Sequence, residues 1–293
     1  MGLEDLLICY NFLPLTADHA LDFPTEFYES HGLKRMHNME MLRPEDVRTG
    51  DVIFVKTDFI VNDTFRTQFF DRINLANWFS IVTGNSAYQL GRDGGDNYLK
   101  MLNHPKLRKW YCTHPPETDN SKIVPLPIGF EEPGRMGGNQ NLLYEFLNTN
   151  PQAVDKVDKV FLPYHTANTN AARNWAISHL GGLNNVAVQT DKQEFSDYLY
   201  SLQKHKYVVC LEGAGPDTHR NYETLLAGSI PIIKSSSIRA LFEKYELPAI
   251  FVDSWEDVTD FFIQNLDYSQ YNFDSVEKFL KAETHVKEVR SER

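Results

Sequence analysis

Cys210-Leu-Glu-Gly-Ala-Gly-Pro-Asp-Thr-His-Arg-Asn-Tyr-Glu-Thr-Leu-Leu-Ala-Gly-Ser-Ile-Pro-Ile-Ile233 reads as a buried strand, a glycine turn, a short helix and a second buried strand. Asp217 and Thr218 open the helix, with Asp217 expected to cap it after Pro216 fixes the turn. Arg220 and Glu223 stand three residues apart, so their side chains share one helix face. The unpaired N–H groups of a first helical turn, beside an arginine, suit a phosphate group. Glu223, one turn further in, can accept hydrogen bonds from a hydroxylated neighbour of that phosphate. Phosphate followed by sugar hydroxyls describes a nucleotide or a nucleotide-sugar. The same spacing also fits an ordinary strand–helix turn in which Arg220 and Glu223 form a surface ion pair.

Outward from this stretch the pattern repeats. Strands are expected at Lys159–Tyr164, Val186–Gln189, Tyr207–Leu211, Ile230–Ile233 and Ala249–Val252, with helices at Asn170–Leu180, Gln193–Gln203, Thr218–Ala227, Ser237–Tyr245 and Trp255–Asn265. The first half carries strands Leu6–Phe12, Asp51–Lys56, Phe79–Thr83, Lys109–Thr113 and Ile123–Ile128, with helices around Asp18–Ser30, Thr67–Asn77 and Asn97–Leu102. The expected fold class is therefore α/β, with two Rossmann-like domains facing a cleft. Residues 1–150 would form the first domain, 151–270 the second, and 271–293 an amphipathic helix packed on a domain surface.

The chain has 293 residues, 42% of them hydrophobic, and a net charge of −11 from 29 basic and 40 acidic side chains. That acidity argues against a sequence-independent grip on nucleic acid, so an anionic ligand must be held by local arginines and helix ends. Cys9, Cys112 and Cys210 each lie in an apolar run and are expected to be buried reduced thiols. Leu6-Leu-Ile-Cys-Tyr10 is too short for a signal peptide or membrane span, which points to a soluble, cytoplasmic protein with no membrane anchor.

Loops after parallel strands carry the candidate residues. Tyr164, Thr166, Asn168 and Arg173 follow the first strand of the second half, with Arg173 near a helix entrance beside the Arg220 loop. Gly213 and Gly215 would let the backbone approach a ligand, and Asp217, Thr218, His219, Arg220 and Glu223 complete the donor-binding set. Asp93-Gly-Gly-Asp96 reads as a turn rather than a metal site, and the ten histidines show no ligand spacing, so neither a metal nor a cofactor is expected. A catalytic base would come from the first half: Asp58 after the second strand, Asp18 or His19 after the first, or His114 after the fourth. Asp18 also reads as a helix N-cap.

With these residues in view, the stretch from Cys210 to Ile233 resembles the signature of exostosin-like glycosyltransferases (family 47), in which Gly213, Gly215, Asp217, Arg220, Glu223, Gly228, Ile230 and Pro231 match. The likeness is weaker through Tyr164–Arg173 and Leu126-Pro-Ile-Gly129. It implies a GT-B type enzyme that inverts at the anomeric carbon, works without metal, and moves a sugar from UDP to a glycan hydroxyl. Within it, the first domain would bind the acceptor, Glu223 the ribose, and Arg220 with Arg173 the diphosphate. The chain also resembles the small soluble xylosyltransferases of algal viruses, a resemblance that implies UDP-xylose as donor. A GDP-sugar transferase, a retaining enzyme on the same scaffold, and a non-catalytic nucleotide-sugar-binding protein are the alternatives.

Overall fold

The computed structural model describes residues 6–9, 12–21, 43–74, 77–149, 151, 154–165 and 171–291. Their strands form two five-stranded sheets, each parallel throughout. The two sheets belong to separate compact units, which meet along the chain at Gly138 and Asn139. The first unit also takes Ala214–Asp217 and the chain from Lys281 onward.

Strands β1 (His19–Leu21), β2 (Val52–Lys56), β3 (Phe79–Gly84), β4 (Leu107–Cys112) and β5 (Ile123–Pro125) build the first sheet in sequential order. β2 is apolar from Val52 to Val55, and β3 is buried along its whole length, Ser80 and Thr83 included, as in strands covered on both faces. Ile53, Val55, Phe65, Phe70, Phe79, Ile81 and Trp110 close one core. Each such side chain contributes about 1.5–3 kcal/mol by leaving water. The one polar atom of Trp110 is satisfied inside this core, its Nε1 donating to Thr83 Oγ1 at 3.0 Å.

Two expectations for this unit are corrected. The helix placed at Asp18–Ser30 does not start there: His19–Leu21 is a strand paired with Ile53–Val55, and residues 22–30 lie outside the described set. Two consecutive buried residues, Ala20 and Leu21, fit a short strand as readily as a first helical turn. Leu6–Phe12 is not a full strand among its described residues. Leu7 and Cys9 make single bridges, to Lys281 and Phe130.

In the second unit, β6 (Val157–Leu162), β7 (Val186–Val188), β8 (His205–Cys210), β9 (Ile230–Lys234) and β10 (Ile250–Val252) are ordered β10-β9-β8-β6-β7. The chain enters at β6, steps outward to β7, and returns to the other side of β6 with β8. The connections after β6 and β8 therefore leave in opposite directions, which opens a crevice at the carboxyl ends of these two strands. Residues 163–165 and 211–213, which follow these strands, stand at that crevice.

The expected single C-terminal helix is two: Val276–Leu280 in the second unit and Ala282–Ser291 in the first. Lys281 is drawn into a bridge with Leu7, and Ala282 N donates to Leu6 O at 2.8 Å, which breaks the helical run between them. Phe279 stacks on Tyr222 at 6.0 Å, tying the first helix to the helix His219–Leu226. Among the described residues no helix is long and apolar enough to cross a membrane. Cys9, Cys112 and Cys210 are buried thiols that form no disulfide.

Gly129 has φ of 69°, and a Cβ there would lie 2.6 Å from the carbonyl carbon of Ile8. Gly129→Ala should therefore destabilise the protein by about 2–4 kcal/mol, from left-handed strain plus a backbone clash. Urea unfolding measures this directly; an unmoved midpoint would contradict the close approach of the two segments.

Candidate functional site

Arg220 lies in the first turn of the helix His219–Leu226, which starts one loop after β8. Arg173 lies in the first turn of the helix Ala171–Gly181, which follows β6. The reversal of strand order between β6 and β8 brings both helix entrances to the same crevice. Their guanidinium groups converge on one imidazole. Arg173 Nη2 stands 2.8 Å from His165 Nδ1, while Arg220 Nη1 stands 3.0 Å from Nδ1 and 2.8 Å from Nε2.

This arrangement is electrostatically frustrated. A neutral imidazole offers one acceptor nitrogen and one N–H, whereas guanidinium groups only donate. Whichever ring nitrogen holds the proton, it faces a guanidinium donor. Burial first, then the positive charges of Arg220 and Arg173, push the His165 pKa down to about 2. Burial and the like charge of Arg220 likewise pull down the pKa of Arg173, against the opposing pull of Glu212. Two cations thus stand together around an uncharged ring, a site that an anion would relieve.

The rest of the shell holds Arg220 in place. Arg220 Nε donates to Tyr198 OH at 3.1 Å, and Tyr198 OH donates to Glu223 Oε2 at 2.8 Å. Arg220 Nη2 donates to Tyr164 O at 3.3 Å. Burial, then the charge of Glu223, raises the Tyr198 pKa well above that of an ordinary phenol. Tyr198 therefore stays protonated and passes a hydrogen bond from the guanidinium to the carboxylate. Glu223 is 8% exposed, so the open surface ion pair considered from spacing does not describe it. Its Oε2 is engaged by Tyr198, and Glu223 fixes Arg220 through the phenol.

Thr218, rather than Asp217, is the helix N-cap, with φ of −137° and ψ of 149°. Its side chain makes no capping bond, and its buried Oγ1 has no protein partner. Asp217 turns the other way: its Oδ2 accepts from Ile128 N at 3.1 Å, and its N–H donates to His114 Nδ1 at 3.4 Å, all within the first unit. His219 is the first residue of the helix itself.

The glycines are explained by packing. Neither Gly213 nor Gly215 adopts positive φ. A Cβ on Gly215 would fall 2.4 Å from His114 Cε1, so its bare Cα makes room for that ring. A Cβ on Gly213 would meet only Thr218 Cγ2, at 3.8 Å. Thr166 and Asn168 lie outside the described residues.

Of the candidate bases, Asp18 and His19 stand at the amino ends of the first sheet's strands. Asp18 Oδ2 accepts from Val52 N at 3.0 Å, and His19 Nε2 lies 2.8 Å from Asp51 Oδ2. Both hold strand entrances together, and Asp18 does not cap a helix there. Asp58 is at the opposite, carboxyl edge, just past β2, with its side chain 30% exposed. His114 is 3% exposed, with φ of 50°, packed under the Gly215 turn. Asp93 accepts from Gln89 N at 2.8 Å and pairs with Arg92, as expected of a turn.

Sequence reasoning missed His165 and Tyr198. His165 follows Tyr164 directly after β6, so its place at a strand's carboxyl end was the available signal. Tyr198 lies inside the helix Phe195–Gln203, where nothing local marks it. No protein-family model matches the chain, and no curated protein matches it.

Because the folded pKa of His165 is depressed, the unfolded chain takes up a proton near pH 6.5 that the folded protein refuses. Its contribution to stability is complete above that pH and falls as pH drops toward about 2. Between about pH 7 and about pH 5, wild type should lose roughly 2 kcal/mol more stability than His165→Gln. Urea melts of both proteins at the two pH values test this; parallel losses would contradict a neutral, half-buried ring.

Proposed function

We propose that the chain is a glycosyltransferase that takes a sugar from a UDP-sugar, with UDP-xylose the favoured donor, and passes it to a glycan hydroxyl with inversion. The observation that carries the reading is the convergence of Arg173 and Arg220 on neutral His165 at the strand-order reversal of the second sheet. A diphosphate would replace the imbalance with charge-assisted hydrogen bonds, each contributing about 1.5–3 kcal/mol. The unsatisfied Thr218 hydroxyl at the neighbouring helix entrance supplies a further group for a phosphate oxygen.

The same cations favour the chemistry. Negative charge grows on the diphosphate as the glycosidic bond breaks, and preorganised guanidinium groups stabilise that charge more than they stabilise the bound donor. Tyr198 and Glu223 fix Arg220 in advance, so little reorganisation accompanies the step. The acceptor hydroxyl attacks the anomeric carbon through an oxocarbenium-like state and loses its proton to a base. Asp58 is the base of choice, because Asp18 and His19 are committed at the amino edge of the first sheet.

Arg173→Gln should weaken UDP binding at least about tenfold, equivalent to roughly 1.4 kcal/mol, as read by isothermal titration calorimetry. Asp58→Asn should leave UDP affinity unchanged and suppress UDP release from UDP-xylose with oligosaccharide acceptors. Equal UDP affinity in Arg173→Gln and wild type would overturn the anion site. Saturable UDP binding with no transfer from UDP-xylose, UDP-glucose or GDP-sugars would favour a nucleotide-sugar-binding protein instead.

A further inference from the structure

The carboxyl edge of the first sheet holds a second polar cluster that the anion site does not use. Asn85 follows β3 immediately, is 2% exposed, and adopts φ of 53°. Both its side-chain amide atoms, Oδ1 and Nδ2, are buried without a protein partner. Lys56, the last residue of β2, donates to the Asn85 backbone carbonyl and stands 3.6 Å from Asp58 Oδ2. That carboxylate oxygen is buried and has no hydrogen-bond partner, although the rest of the Asp58 side chain reaches solvent. Leaving such groups unmade costs about 1–3 kcal/mol each, so a hydrogen-bonding partner at this strand edge is favoured.

The chemistry selects that ligand. Lys56 and Asp58 cancel in charge, which disfavours an anion. The Asn85 amide offers one donor group and one acceptor, and Asp58 adds an acceptor. A hydroxyl is both donor and acceptor, and adjacent hydroxyls match this set. We propose that Asn85, Asp58 and Lys56 form a binding subsite for a neutral polyhydroxyl ligand, a carbohydrate diol, at the carboxyl edge of the first sheet. The subsite rests on the reading of Asp58 as the base beside a glycan hydroxyl, and UDP affinity separates its failure from that of the anion site.

Asn85→Gly removes the amide and keeps the left-handed backbone, which glycine adopts freely. Ligand-observed NMR titration with methyl β-xylopyranoside and methyl β-glucopyranoside should give saturable binding to wild type that weakens at least about tenfold in Asn85→Gly. The melting temperature of the variant should stay level or rise, because an unsatisfied buried amide has been removed. UDP affinity serves as the control and should not change. No saturable binding of either glycoside would overturn the proposal and leave an amide satisfied by ordered water. Unchanged glycoside affinity in the variant, or a clear fall in its melting temperature, would also overturn it.

Discussion

Two guanidinium groups held against one uncharged imidazole form the constraint on which the functional reading depends. In water two arginines separate; here Arg173 and Arg220 are fixed at neighbouring helix entrances, with His165 between them. Such a concentration of positive charge raises the energy of the free protein unless something else offsets it. Glu223 supplies part of the offset through Tyr198, and Glu212 acts on Arg173. Tyr198 stands between the Glu223 carboxylate and the Arg220 guanidinium, which suits the arginine pair to a ligand with more negative charge.

The position of this site follows from topology. In the second sheet the chain begins in the interior, at β6, and the order reverses between β6 and β8. Strand backbones end there with their connections diverging, so polar side chains can line a crevice without unpairing the ladder. The first sheet runs in sequential order and contains no such reversal among its described strands. Its polar groups gather instead on successive strand ends: Lys56 and Asp58 at the end of β2, Asn85 after β3, His114 after β4. Asn85 and His114 both adopt left-handed backbone there, the conformation by which a strand turns sharply at its end.

Much of the second unit was legible from sequence because its strands carry short apolar stretches, such as Val160–Leu162 and Tyr207–Cys210, and its helices are bounded by polar loops. Arg220 and Glu223 could be placed on one helix face from spacing alone, and Arg173 at a neighbouring helix entrance. The phenol that links Arg220 to Glu223 could not, since Tyr198 comes from a helix whose contact with them is set by packing. The capping role assigned to Asp217 failed for a similar reason. Its carboxylate finds a distant backbone donor, Ile128 N, which competes with the nearby helix turn. Gly215 looked like a ligand-facing glycine, whereas the His114 ring, far away in sequence, occupies the space. In the first unit, His19–Leu21 was too short for its period to separate strand from helix, and pairing with β2 decided it.

Arg173 and Arg220, gathered around His165, await an anion. NMR titration of the His165 ring, with and without UDP, tests it most directly. Free protein should show a ring that stays neutral down to strongly acidic pH, with its pKa near about 2. Saturation with UDP should raise that pKa by several units, because bound negative charge reverses the field of the two arginines. A His165 ring that titrates near its ordinary value in the free protein, or does not respond to UDP, would contradict the claim.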